Sequence, residues 1–265
     1  MEDFERYVAR LRARQESGGP ENLVLLPRVD STNALARAIA TEYQNEEQTL
    51  HPLLIAALEQ TGGRGRQGRS WSSPAGQGVY ATLVVRVEDP GLLQTLPLLA
   101  GVGLCRALAP RLPVPCRLKW PNDLIVEVGE ERRKLGGILI EAAVRPGEAT
   151  LALVGFGINV LHGADDLPAT ATSVRLLGGE TGSLADLTWD LVEGLEAELS
   201  HLADATYAVE SYRALSIHQP GEWIVSRAGE TVTAGTFQGF DAFGRLLLES
   251  DGRVVPVASG EVIEG

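Results

Sequence analysis

The sequence predicts an α+β protein: a large unit of interleaved strands and helices, followed by a small antiparallel barrel of SH3 type. Three observations carry this expectation. The apolar runs Leu53–Ala57 and 79–85 have the length and character of buried strands. Residues 90–111 and 183–203 repeat apolar side chains at helical spacing. From Glu222 onward, short alternating runs are separated by turn residues. A chain of 265 residues with 44% hydrophobic content can bury one large core and still supply a small second one.

Taken in order, residues 1–16 are charged and helical in pattern and lack the apolar centre of a signal peptide. Residues 22–30 alternate and end in a strand. Ser31, Thr32 and Asn33 open the helical run 34–40, with Asp30 or Ser31 as N-cap. The same helix start could present amides and hydroxyls to a polar ligand, but the segment alone favours the cap. In the run 90–111, Leu92, Leu93, Leu96, Leu99, Val102 and Leu108 form the apolar face. Gly101 and Gly103 inside it lack the third glycine and preceding strand of a dinucleotide fingerprint. Pro121, Asn122 and Asp123 mark a turn between strands, and Lys134 leads through Gly136 and Gly137 into another. Residues 151–154 form a strand ending at 155–160. Residues 165–182 are a polar loop without periodicity. In the helix at 183–203, Leu184, Leu187, Leu191, Leu195, Leu199 and Leu202 face the core. Strands at 223–225, 231–237, 246–248 and 254–257 make the terminal barrel.

Composition narrows the function. The net charge of -12 and a pI near 4.9 speak against general nucleic-acid binding, which rests on neutralising many phosphates. Cys105 and Cys116 are too few for a disulfide scaffold, and a reduced, cytoplasmic setting is expected. No stretch is long and apolar enough to span a bilayer. The four histidines are scattered, so a zinc held by the protein is not expected.

Against that acidic background, residues 60–87 contain no Asp or Glu, and the stretch 60–71 interleaves Arg64, Arg66 and Arg69 with Gly62, Gly63, Gly65 and Gly68. Glycines permit positive φ and close backbone approach, and arginines present forked donors to carboxylate and phosphate. Taken alone, the loop reads equally as an anion clamp or as a solvated or RNA-binding tract. Its place between two buried strands favours the clamp. Lys119, Asn122 and Asp123 gathered at one turn could touch phosphate and a metal ion, although the turn reading is stronger. Asn159 at a strand end could read a base edge.

Together, Asp30-Ser31-Thr32-Asn33, the loop 63–71, the stretches 119–124, 134–139 and 155–159, and the terminal barrel resemble bacterial biotin-protein ligases. The resemblance covers nearly everything from Leu23 to the end. It implies a mixed sheet with flanking helices, like the class II aminoacyl-tRNA synthetase catalytic domain, over 1–217, and an SH3-like barrel over 218–265. It also implies a two-step reaction: biotin is activated with ATP as biotinyl-5'-adenylate, then passed to a lysine of a biotin carboxyl carrier protein. Ser31, Thr32, Asn33 and Gln60 would hold biotin, with Arg64, Gly65 and Arg66 helping through the loop. Lys134, beside Gly136 and Gly137, would meet its carboxylate, and Trp71 would cover the adenylate. Arg66, Arg69 and Lys119 would face the phosphates and Asn159 the adenine. With Lys134, those three cations form the expected catalytic set. Asn122 and Asp123 would order the Mg²⁺ region, with the metal held mainly through phosphates.

Some members of that family carry an N-terminal winged helix, whereas here only some twenty residues precede the first strand. A ligase that binds no nucleic acid and no membrane is therefore expected. The loop 62–70 is expected to be open without ligand and closed over the adenylate with it. A lipoate-type ligase, a non-catalytic biotin sensor and an RNA-binding module are the competing readings. Exposed strand edges could serve the carrier or a second copy in a homodimer.

Overall fold

A computed structural model describes residues 4–145 and 149–263. The first residues of the expected N-terminal helix lie outside that range. The large unit is built on seven strands: β1 (Asn22–Leu26), β2 (Leu53–Ala57), β3 (Gly78–Val87), β4 (Cys116–Lys119), β5 (Asp123–Val128), β6 (Glu131–Ala143) and β7 (Thr150–Asn159). They lie in the order β1-β2-β3-β7-β6-β5-β4, with β1 and β2 parallel and every other pair antiparallel, so the sheet is mixed.

All ten residues of the central β7 are buried, as its nearly unbroken apolar composition requires of a strand covered on both faces. One face is covered by α2 (Thr32–Asn45), whose Ala36 and Ala40 pack with Leu53, Ile55, Val84, Leu151 and Leu153. The other is covered by α3 (Leu96–Leu108) and α4 (Leu184–Leu199). Helix α1 (Phe4–Gln15) docks on α4 through buried Tyr7 and Leu11. Arg10 pairs with Asp186 at 2.5 Å and Arg14 with Glu193 at 3.0 Å. The charged N-terminal segment is thus part of the helical layer.

The sequence reading needs correction at several elements. The single helix expected over 90–111 is broken: a 3-10 turn at Pro90–Gln94 precedes α3, whose second position is Pro97, a residue that suits a helix start and not an interior. The strand expected over 22–30 ends at Leu26, leaving Val29 only an isolated bridge to Gln60. An unexpected helix, α5 (Ala205–Leu215), follows Asp204, whose carboxylate accepts from the Tyr207 amide at 2.9 Å. Lys134 and the Gly136-Gly137 pair lie within β6, not at its entry.

The tail forms a second sheet from β8 (Trp223–Ala228), β9 (Thr231–Phe240), β10 (Leu246–Ser250), β11 (Arg253–Val257) and the short β12 (Glu261–Ile263). It is wholly antiparallel, ordered β11-β10-β9-β8-β12. It is joined to the large unit by buried Trp120, whose Nε1 donates to the Gly244 carbonyl at 3.0 Å and whose backbone N donates to His218 Nε2 at 3.1 Å; within the large unit, Leu118 and Ser216 form the last bridge. We propose 217 as the boundary between the two units, just after that bridge. Among the described residues no helix is long and apolar enough to cross a membrane.

Leu11 is fully buried. Leu11→Ala should cost about 2–5 kcal/mol in denaturant unfolding, the range for emptying a core site. A cost below about 0.5 kcal/mol, the size of an ordinary surface change, would place α1 outside the cooperative core.

Candidate active site

A cavity of about 370 Å³ opens on the α2 face of the sheet, within the size range of small-molecule sites. Its floor follows from strand periodicity. Side chains of β7 alternate between faces, and on the α2 side Leu151 and Leu153, which pack on the helix, are followed by Gly155, Gly157 and Asn159. Where α2 begins, the strand gives up its side chains. A Cβ on Gly155 would strike the Asn33 amide, and one on Gly157 would lie 2.5 Å from Trp71 Nε1. The two glycines make room for these larger groups. On β6, paired in register, Gly137 faces Gly157 and Leu139 faces Gly155.

The helix start both caps α2 and lines the cavity. The Ser31 hydroxyl caps α2, accepting from Ala34 N at 3.4 Å, and it also lines the cavity. Gln60 Oε1 accepts from the Thr32 amide (2.9 Å) and hydroxyl (3.1 Å), while Gln60 Nε2 donates to Ser73 Oγ at 3.0 Å. Asn33 lines the cavity too, with its amide engaged by protein partners. Its Nδ2 donates to the Leu139 carbonyl (3.1 Å) and Glu141 (3.0 Å), and its Oδ1 accepts from Thr82 Oγ1 at 2.6 Å. It therefore works as a strut between α2 and the sheet.

The Gly/Arg loop is folded back on itself. Arg64 and Ser70 form an isolated bridge, Gly65 N donates to Arg69 O at 2.7 Å, and Trp71 N donates to Gly63 O at 2.8 Å. At its tip, Gln67 (φ 56°) and Gly68 (φ 73°) take the left-handed turn. Of the four loop glycines, Gly68 is the one that takes the positive φ that glycine permits. Gly62 and Gly63 instead avoid collisions with Asp30 and with the Trp71 carbonyl.

Four cations, Arg64, Arg66, Arg69 and Lys134, line the cavity against one carboxylate, Asp123. Lys134 Nζ lies 2.6 Å from Asp123 Oδ1 and 5.3 Å from the centre of the Trp71 ring. Arg69 pairs with Glu261 at 2.7 Å, and Arg66 donates to the Gly260 carbonyl at 3.3 Å. Burial pushes the Arg66 guanidinium below its ordinary value, with Asp123 opposing the shift and Arg69 adding to it. An arriving anion would relieve that cost. Trp71 Nε1 is buried without a hydrogen-bond partner at the cavity wall.

Of the remaining expected residues, Asn122 and Asn159 line the cavity with their amide nitrogens engaged, on Ile138 O (2.8 Å) and Thr172 O (3.1 Å). Lys119 and Gly136 do not line it. Lys119 stands opposite Asp123 in the β4–β5 register, and a Cβ on Gly136 would lie 2.8 Å from Gly157 O, so that glycine serves strand packing. The polar loop at 165–182 supplies walls that the sequence did not announce: Leu167, Pro168, Thr170 and Ala171. It is stitched to β6 by Lys134 N donating to Thr170 O (2.8 Å) and Thr172 N to Lys134 O (2.9 Å). Without periodicity, nothing in the sequence pointed to this contact.

The biotin/lipoate A/B protein ligase family matches residues 25–159, and the biotin protein ligase C terminal domain matches residues 224–264. A biotin--[acetyl-CoA-carboxylase] ligase of Mycobacterium tuberculosis is 31% identical, over 92% of this chain and 90% of its own length. One from Paracoccus denitrificans is 34% identical, over 88% and 98%. The fold is that of the biotin protein ligase from Aquifex aeolicus solved with biotin and ATP, at a TM-score of 0.71 and 24% identity, covering 92% of this chain and 98% of that one. The chain belongs to the biotin/lipoate A/B protein ligase family.

Gly155→Ala should lower stability by about 1–3 kcal/mol, the range for overpacking, by displacing Asn33 from Thr82 and Leu139. Thermal unfolding checks this. An unchanged transition would show that Asn33 is no strut.

Proposed function

We propose that this chain is an ATP-dependent biotin-protein ligase, forming biotinyl-5'-adenylate and transferring the biotinyl group to a lysine of a biotin carboxyl carrier domain. One observation carries the reading. A single cavity joins the polar Thr32–Gln60 corner, suited to a ureido head, to a cluster of Arg66, Arg69 and Lys134 suited to a carboxylate meeting a triphosphate.

In the first step a carboxylate oxygen of biotin attacks the α-phosphorus of ATP. A P–O bond forms, the bond to the β-phosphate breaks and pyrophosphate leaves. Both reactants are anions. Fixed guanidinium and ammonium groups cancel their repulsion while holding the in-line geometry. Lys134 then gives up Asp123 in favour of the incoming carboxylate, and Arg66 and Arg69 turn their remaining donors to the phosphates. Trp71, over Gly157, covers the adenylate, and Asn159 offers its side-chain carbonyl toward adenine. Lys119, outside the cavity lining but opposite Asp123 in the β4–β5 register, would act on the phosphates from there. In the second step the carrier lysine's amine attacks the acyl carbon, AMP departs, and the amine loses its proton.

When bound with ATP, Mg²⁺ would supply charge neutralisation at the phosphates. The described residues hold no group of three metal-ligating side chains, and Asp123 is the carboxylate on the cavity wall, so the donor set fits an ion carried mainly by ATP. The part of β6 past Ile138, whose own N and O are bonded to Asn122, runs beyond the pairing with β5 and could accept a strand from the carrier or from a second copy. Free, buried Cys105 and Cys116 support a reducing, cytoplasmic setting.

A charged hydrogen bond is worth about 1.5–3 kcal/mol, so Arg66→Ala and Lys134→Ala should each slow biotin-dependent ATP–pyrophosphate exchange by about 10- to 100-fold. Their unfolding transitions should stay close to that of the parent chain. Undiminished exchange in both would remove these residues from the site. Mass spectrometry of a carrier domain incubated with the enzyme, ATP and either biotin or lipoate tests the substrate. Biotin transfer alone is expected, and lipoate transfer alone would overturn the proposal. Trypsin, which cuts after arginine, should cleave within 60–71 more slowly when biotin and ATP are both present. Equal rates would contradict closure of the loop.

A further inference from the structure

The Gly/Arg loop is gripped by the far end of the chain. Arg66 Nη1 donates to the Gly260 carbonyl at 3.3 Å, and Arg69 Nη1 donates to Glu261 Oε1 at 2.7 Å, residues 194 and 192 positions away. Each contact uses one nitrogen of a five-donor fork and leaves the rest for another acceptor. The grip is itself anchored. Glu261, Val262 and Ile263 pair with Arg227, Ser226 and Val225 of β8, and Val262 is buried. Gly260 sits at φ 150°, where a side chain would strike Ser226 Oγ, so the chain can pass close to β8 only with glycine there. The loop is anchored separately in the large unit, where Gln60 bridges Ser73. The two arginines therefore span two sheets. An arginine as exposed as Arg69, at 56%, would otherwise sample many rotamers and lose them on binding an anion.

We infer that Glu261 is a positioning residue for the nucleotide step. It holds Arg69, and with Gly260 the neighbouring Arg66, in the orientation that receives the phosphates of ATP. This rests on the reading that these arginines face phosphate. Because Glu261 is 47% exposed, the pair is screened by solvent and its effect is a matter of a few-fold.

The test compares Glu261→Gln and Glu261→Asp with the parent in the full-length chain. Glu261→Gln should raise the KM for ATP in the exchange reaction by about two- to fivefold. The KM for biotin and the unfolding midpoint should not move. Trypsin should cleave the loop faster, Glu261→Asp should restore part of the effect, and raised salt should bring the parent toward Glu261→Gln. In an Arg69→Ala background, Glu261→Gln should add nothing. An unchanged or lowered KM for ATP would overturn the inference, as would additive effects of the two substitutions. So would an equal rise for both substrates with a lower unfolding midpoint, which marks a purely structural role. If the parent chain showed no biotin-dependent exchange, the ligase reading itself would fail. In that case faster tryptic cleavage of Glu261→Gln would still support the grip on the loop, and unchanged cleavage would overturn it too.

Discussion

A strand buried on both faces along its whole length leaves no room for a ligand unless it surrenders side chains, and β7 does so at two alternate positions. The space over Gly155 and Gly157 is where α2 starts and where Trp71 comes down from the loop. The rest of the site follows from that concession. Asn33 fills the first gap and locks α2 to β6 and β3 through Leu139, Glu141 and Thr82. Trp71 fills the second and brings the Gly/Arg loop over the cavity, with Lys134 stacked near its ring. A single central strand thus fixes where the cavity lies and which side of it the cations line.

The charge arrangement solves a second problem. An acidic protein concentrates positive side chains on one concave surface, which focuses the field where anions must meet. Cations crowded together repel one another, and burial penalises Arg66 in particular. The structure offsets this with acceptors held nearby: Asp123 for Lys134, Glu261 for Arg69 and the Gly260 carbonyl for Arg66. Each is a partner that a carboxylate or phosphate can replace or share. The cations are therefore already held by acceptors that an anion can replace or share, and holding charges in place in this way is what makes electrostatic catalysis effective.

Much of this was legible in the sequence because it rests on local rules. The strands at 53–57 and 79–85, the capped start of α2, the leucine face of α4 and the turns of the tail announce themselves through periodicity and turn chemistry. The charge gap at 60–87 pointed to the loop. What stayed hidden depends on distant partners. Nothing local distinguishes Gly62 and Gly63, which avoid Asp30 and a carbonyl, from Gly68, which makes a turn. The polar loop at 165–182 acquires its role only by hydrogen bonding to β6, and Glu261 only by lying beside Arg69. Helix α5 is short and half polar, and β12 is three residues long, too little for a pattern. The partners of the Asn33 amide, Thr82, Leu139 and Glu141, lie on distant strands and leave no local signal.

The central claim is that the cavity walled by Asn33 and Trp71, which stand over Gly155 and Gly157, receives the reacting carboxylate and phosphate beside Arg66, Arg69 and Lys134. A crystal structure of the chain with biotin and ATP tests it most directly. The account predicts the newly formed acyl phosphate within hydrogen-bond distance of Lys134 and at least one of the two arginines, with the indole of Trp71 above it. Ligand bound elsewhere, with Lys134 still on Asp123 and the loop turned to solvent, would contradict it.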